Sequence, residues 1–199
     1  MFSARQLAIG DAGPIDFSLP AGGFLALSGP SGAGKTRLLR AMADLDAHTG
    51  ACYLDDREAA DFEAPEWRRQ VMFLPSEAAW WADTAGAHMP RNDASLKTWL
   101  AALDLDPALL ERPLSRLSSG QRQRLALLRL LAREPRVLLL DEPTANLDAD
   151  NIARVEQLTR DYCRERHACC VWVGHDHGQL HRMADQHRAL DSGGRITCN

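Results

Sequence analysis

Lysine is almost missing from this chain: Lys35 and Lys97 are the only two, and arginine supplies the rest of the 23 basic side chains. With 27 acidic residues the formal net charge is -4, so no bulk positive field draws the protein to nucleic acid. No run approaches the roughly 18 consecutive apolar residues that a membrane span needs. The opening Met1-Phe2-Ser3-Ala4-Arg5 lacks the apolar core of a signal peptide. Service to a membrane is therefore expected from outside the bilayer, through a partner. The cysteines Cys52, Cys163, Cys169, Cys170 and Cys198 are odd in number and contain no CxxC pair. That excludes a disulfide framework and fits free thiols in a reducing compartment. Hydrophobic residues still make up 45% and charged residues 25%. This is enough apolar material for a core and excludes a disordered chain. One domain over 1–199 is expected.

Residues 5–9 and 15–19 are apolar-rich runs split by Gly10-Asp11-Ala12-Gly13-Pro14, which predicts an antiparallel hairpin or paired edge strands. Phe24 to Ser28 is a buried-strand pattern that runs into a glycine-rich loop and then a helical stretch over 35–43. Further strands are expected at 51–54, 70–74, 137–140 and 169–173, and helices at 119–133 and 150–166. Between them, about 79–118, polar breakers, Trp80-Trp81 and a helical pattern at 94–104 predict an inserted helical subdomain. The alternation implies an α/β fold with a mainly parallel central sheet and antiparallel N-terminal strands.

Gly29-Pro30-Ser31-Gly32-Ala33-Gly34-Lys35-Thr36 fits G-x-x-x-x-G-K-[ST] between a strand and a helix. Glycines there let backbone N–H groups close around phosphate oxygens, and the following helix points its positive end at the same charge. Lys35 would reach the β- and γ-phosphates, and the Thr36 hydroxyl would ligate Mg²⁺. Arg37, next along, joins the nucleotide-binding set. The chain is thus a P-loop NTPase candidate. A second site is the apolar strand that ends in Asp141-Glu142. It places two carboxylates at the sheet's C-terminal edge, Asp141 for the Mg²⁺ shell and Glu142 as general base toward water. Taken alone, one of them could instead cap the turn at Pro143-Thr144. Leu117-Ser118-Ser119-Gly120-Gln121 opens the helix 119–133, where Ser118 alone could be a plain N-cap.

Taken together, these motifs resemble the ATP-binding cassette family, the ATPase subunits of ABC transporters. Ala145-Asn146-Leu147-Asp148 is similar to that family's D-loop, and His175 to its switch histidine. The resemblance covers roughly residues 5–190 and implies ATP and Mg²⁺ as cofactors. It also implies a head-to-tail dimer, homo or hetero, that sandwiches ATP between the P-loop of one chain and the signature of the other. Ser118, Ser119, Gly120 and Gln121 would then act on the partner's nucleotide, and His175 would bond the γ-phosphate and hold Glu142. The implied partner is a separately encoded transmembrane permease, with the cassette cytoplasmic and peripheral on the inner face of the cell membrane. The segment from Tyr162 to Asp185 also resembles a small-cassette branch assigned to metal or unspecified-solute export.

The sequence departs from the family pattern in three places. Ser76 stands where a glutamine usually completes the metal and water shell. Ser119 replaces a glycine, which is costly if that residue needs a positive φ and cheap if it is already helical. The loop Gly10 to Pro14 carries no aromatic to stack on adenine. These departures keep open a cassette that dimerises with little turnover, and a small P-loop kinase is the other rival. Trp80-Trp81 reads either as a contact for a membrane partner or as core of the inserted lobe. His175, His177 and His181 near Cys169 and Cys170 could suggest a metal site, against which strand cysteines are usually packing residues.

Overall fold

The computed structural model describes residues 1–90 and 94–197; Cys198 lies outside the described residues. The chain opens with β1 (Phe2–Ile9) and β2 (Ala12–Leu19), then β3 (Phe24–Ser28) and α1 (Lys35–Met42). Next come β4 (Thr49–Leu54), β5 (Arg57–Glu58), α2 (Ala64–Gln70) and β6 (Val71–Leu74). After α3 (Ala94–Ala102) follow α4 (Ser119–Leu131), β7 (Val137–Asp141) and α5 (Ala149–Arg166). The chain closes with β8 (Cys169–Val173), α6 (His177–Met183), β9 (Gln186–Leu190) and β10 (Ile196–Thr197).

A four-stranded sheet in the order β2-β1-β4-β5 is antiparallel throughout. A six-stranded sheet in the order β10-β9-β3-β8-β7-β6 is parallel except for β10. Helix α1 packs between the two sheets. Because successive strand residues point to opposite faces, β7 divides its side chains between two cores. Val137 and Leu139 face α1 and the N-terminal sheet, while Leu138 and Leu140 face α4 and α5. Each central strand is buried at every residue, the condition under which parallel strands read as continuous apolar runs.

The hairpin is tighter than the sequence suggests. Only Gly10 and Asp11 turn, and Gly13 and Pro14 belong to β2. Proline is tolerated there because β2 is an edge strand, where a missing N–H breaks no ladder. Residues 79–90 and 94–118 hold α3 and three short 3-10 turns, and Trp99, Leu100 and Leu103 join the core under α4 and α5. Cys52, Cys163, Cys169 and Cys170 are buried and unpaired. Among the described residues no group of three or more His, Cys, Asp or Glu side chains could hold a metal ion. No described helix is long and apolar enough to cross a membrane.

Candidate nucleotide site

The P-loop leaves β3 and ends at Gly34, the N-cap of α1, at φ 93° with no side-chain cap. Glycine is needed here twice over. The φ is left-handed, and a Cβ would lie 2.4 Å from the Ala12 Cβ in the N-terminal hairpin. Lys35 is buried and its Nζ donates to the carbonyls of Gly29 at 2.8 Å and Pro30 at 2.9 Å. Burial lowers its pKa from the usual lysine range, against the opposing pull of Glu142 and Asp141.

Strand β7 delivers Asp141 to the C-terminal edge of the sheet, 4% exposed. Thr36 Oγ1 donates to its carboxylate at 2.7 Å across 105 residues of chain. Burial raises the Asp141 pKa, and the Thr36 hydrogen bond opposes that rise. Glu142 is left-handed at φ 51°, uncommon for a residue with a Cβ, and its N–H donates to the Val173 carbonyl at the end of β8. The turn aims its Oε1 at His175 Nε2, 2.9 Å away. With the proton on Nε2, the imidazole donates to that oxygen. The His175 and Glu142 side chains keep 53% and 34% exposure, so water reaches them while Asp141 stays shielded.

Helix α4 opens with a full capping box. Ser118 Oγ accepts from the Gln121 N–H at 3.1 Å, and Gln121 Oε1 accepts from the Ser118 N–H at 3.0 Å. Ser119 is the first helical residue and has no left-handed φ, so its Cβ adds no backbone strain. Among the described residues, none of residues 118–121 hydrogen-bonds to the P-loop or to Arg37; Ser118 and Gln121 bond each other, and the Gly120 carbonyl accepts from Arg124. Among the described residues, Ser76 forms no hydrogen bond to Thr36 or Asp141. It lines a cleft of about 320 Å³ with Glu77, Ser119, Gln123 and Asn146.

Sequence reasoning missed the residues that tie these loops together. Gln179 on α6, 5% exposed, bonds Thr144 Oγ1 at 3.1 Å and Glu156 Oε1 at 3.0 Å. It thereby fixes the segment after Glu142 to the helix after His175. Asp176, which caps α6 through the Gln179 N–H, was the available signal, since it places Gln179 in the first turn of a helix. Arg124 on α4 is likewise buried and donates to the Leu103 carbonyl and Asn151 Oδ1, both at 2.6 Å.

The family model described as ABC transporter matches residues 12–145. The chain is 37% identical over 181 residues to Protein STAR1 of Oryza sativa subsp. japonica, covering 86% of this chain and 52% of that one. It is 33% identical over 176 residues to the probable iron export ATP-binding protein FetA of Escherichia coli (strain K12), covering 83% of this chain and 78% of that one. The chain thus spans about half the length of the rice relative. Among solved structures, a dimeric ATP-binding cassette in a post-hydrolysis state with ADP and Pi superposes with a TM-score of 0.81. That match covers 98% of this chain and 96% of that one at 24% identity.

Proposed function

The chain belongs to the ABC transporter family and has its P-loop cassette fold; from that premise we propose that it binds and hydrolyses ATP to drive solute transport through a separately encoded transmembrane permease. The observation that carries this reading is the Glu142–His175 hydrogen bond at 2.9 Å, beside the Thr36–Asp141 bond at 2.7 Å, on one sheet edge. A P-loop grips phosphate; a water-accessible carboxylate held by a histidine gives hydrolysis.

Thr36 and Asp141 present two hard oxygen donors on the P-loop side and fit Mg²⁺. Thr36 and Asp141 would hold that ion, which would supply positive charge to offset that of the phosphates. The protein's own groups do the rest. Lys35 Nζ exchanges its two carbonyl partners for phosphate oxygens. Glu142 orients a water whose oxygen attacks the γ-phosphorus while the bond to the β–γ bridging oxygen breaks, and the carboxylate takes the water's proton. His175 keeps Glu142 in place.

In the working form two cassettes pair head to tail, each signature serving the other's P-loop. Among the described residues the P-loop makes no hydrogen bond to residues 118–121 of its own chain, as this arrangement requires. We propose that the permease contact is at Trp81, 76% exposed, on a groove of about 520 Å³ shared with Arg69, Phe73 and Arg129. A large exposed tryptophan on an open groove marks a surface that a partner covers. The cassette would then sit on the inner face of the membrane that holds the permease. A low-turnover cassette is the second reading, carried by the short Ser76 where the family has a glutamine, and turnover measurement separates the two. Glu142→Gln is expected to keep ATP binding, cut hydrolysis by about 10²–10⁴-fold and accumulate an ATP-bound dimer in light scattering. Wild-type turnover in that variant would remove Glu142 from the reaction.

A further inference from the structure

The phosphate end of the site is well marked, but its nucleoside end is not, and one arginine there lacks a structural task. Asp141, Glu142 and His175 define where the γ-phosphate ends. The opposite side of the P-loop abuts the N-terminal hairpin, since the Gly34 Cβ position lies 2.4 Å from Ala12. The nucleoside must leave the phosphates on that side. Arg37 sits in the first turn of α1, and helical side chains lean back toward the N-terminus. Its guanidinium therefore lies against the hairpin turn. A Cβ on Gly10 would be 2.5 Å from Nη2, 2.9 Å from Nη1 and 3.1 Å from Cζ. The terminal nitrogens are nearer than the central carbon, so the group meets the turn edge-on and its flat faces do not rest on it.

Arg37 is exposed, and among the described residues it forms no hydrogen bond or ion pair. Arg40, on the same helix, is held by two bonds of 2.7 Å to Asp46. The acid that feels the Arg37 charge is that same Asp46, already taken. A cation in the first turn also opposes the helix dipole, and no acidic residue offsets it there. Arg37 thus contributes nothing visible to the fold. The aromatics of the N-terminal sheet are committed elsewhere: Phe2 and Phe17 pack together in the core at 5.5 Å, and Tyr53 lies under Arg5 at 4.7 Å.

We propose that the exposed plane of the Arg37 guanidinium, propped edge-on against Gly10, is the platform on which the nucleotide base stacks. A guanidinium is planar, weakly hydrated and stacks on aromatic faces. Every base has such a face, so the platform grips the nucleoside without choosing among purines. The proposal rests on the ATP-binding reading and adds the base contact that the hairpin does not supply.

Calorimetry with ATP, GTP and inorganic tripolyphosphate, each with Mg²⁺, tests it. Wild type should bind ATP and GTP with similar affinity and tripolyphosphate more weakly. Arg37→Ala should weaken ATP and GTP by about tenfold and leave tripolyphosphate unchanged. Arg37→Lys should behave like Arg37→Ala, because it keeps the charge and loses the plane, whereas Arg37→Trp should restore ATP binding. An equal loss for ATP and tripolyphosphate, or rescue by lysine, would make Arg37 a phosphate contact and overturn the platform. So would an unchanged ATP affinity in Arg37→Ala. A wild type that binds neither ATP nor tripolyphosphate would instead sink the P-loop reading beneath it.

Discussion

Asp141 is a carboxylate that the fold buries at its own cost. Its pKa is raised chiefly by burial, so the folded protein holds that proton more tightly than the unfolded chain does. The sign follows. As pH rises from the ordinary carboxylate range through the raised value, ionisation of Asp141 subtracts stability, and the loss persists at neutral pH. Asp141→Asn keeps an oxygen that accepts from Thr36 and removes the charge. In metal-free buffer at pH 7 it should melt above wild type, while Mg²⁺ with ATP should raise the melting temperature of wild type alone. An asparagine variant that melts lower would mean the charge is compensated by partners outside this account. The residue types at this site were legible because phosphate, metal and water each demand a particular side chain. The left-handed Glu142 and the folding of Lys35 onto the Gly29 and Pro30 carbonyls were not legible, because they depend on the turn that β7 and β8 build together.

Helix α4 carries a motif and also holds two packed regions together. Arg124 anchors it to the Leu103 carbonyl after α3 and to Asn151 in the first turn of α5, where Asp148 caps through the same asparagine. Burial lowers the Arg124 pKa, yet its bonds leave none of these acceptors dry. Arg124→Met keeps the volume and strands the Leu103 carbonyl and Asn151. It should cost about 1–3 kcal/mol, read as a lower urea midpoint, and slow ATP turnover more than it weakens ATP binding. Unchanged stability would mean that water replaces the guanidinium. Strong helices and buried parallel strands were readable here from apolar period and length, with ends within two residues for 119–133 and 150–166. Strand β9 was not readable. Gln186-His187-Arg188 is polar and only half-buried at the flank of β3, so its strand state is set by pairing with β3 rather than by pattern. The reach of β2 across Pro14 was hidden because glycine and proline read as turn residues, and only the sheet shows that β2 has a free side for them.

For the whole molecule, the central claim is that one chain carries two halves of different sites. Gly120 lies beside Leu147, where a Cβ would meet the flexible Cδ2 at 3.0 Å and the Asn146 carbonyl oxygen at an ordinary 3.9 Å, so Gly120→Asp should fold. Its carboxylate would face the partner's γ-phosphate in a water-poor interface, where like charges repel strongly. ATP binding to the monomer should survive, because residues 29–36 are untouched, while dimerisation and hydrolysis fall. Lys35→Ala should lose hydrolysis from the other half. The decisive measurement is the ATPase rate of the two variants mixed. In the proposed head-to-tail pairing a mixed dimer would hold one complete site, formed by Lys35 of the first chain and Gly120 of the second. The account predicts activity clearly above the sum of the two variants alone. No gain over that sum, in samples where heterodimers demonstrably form, would contradict the shared site.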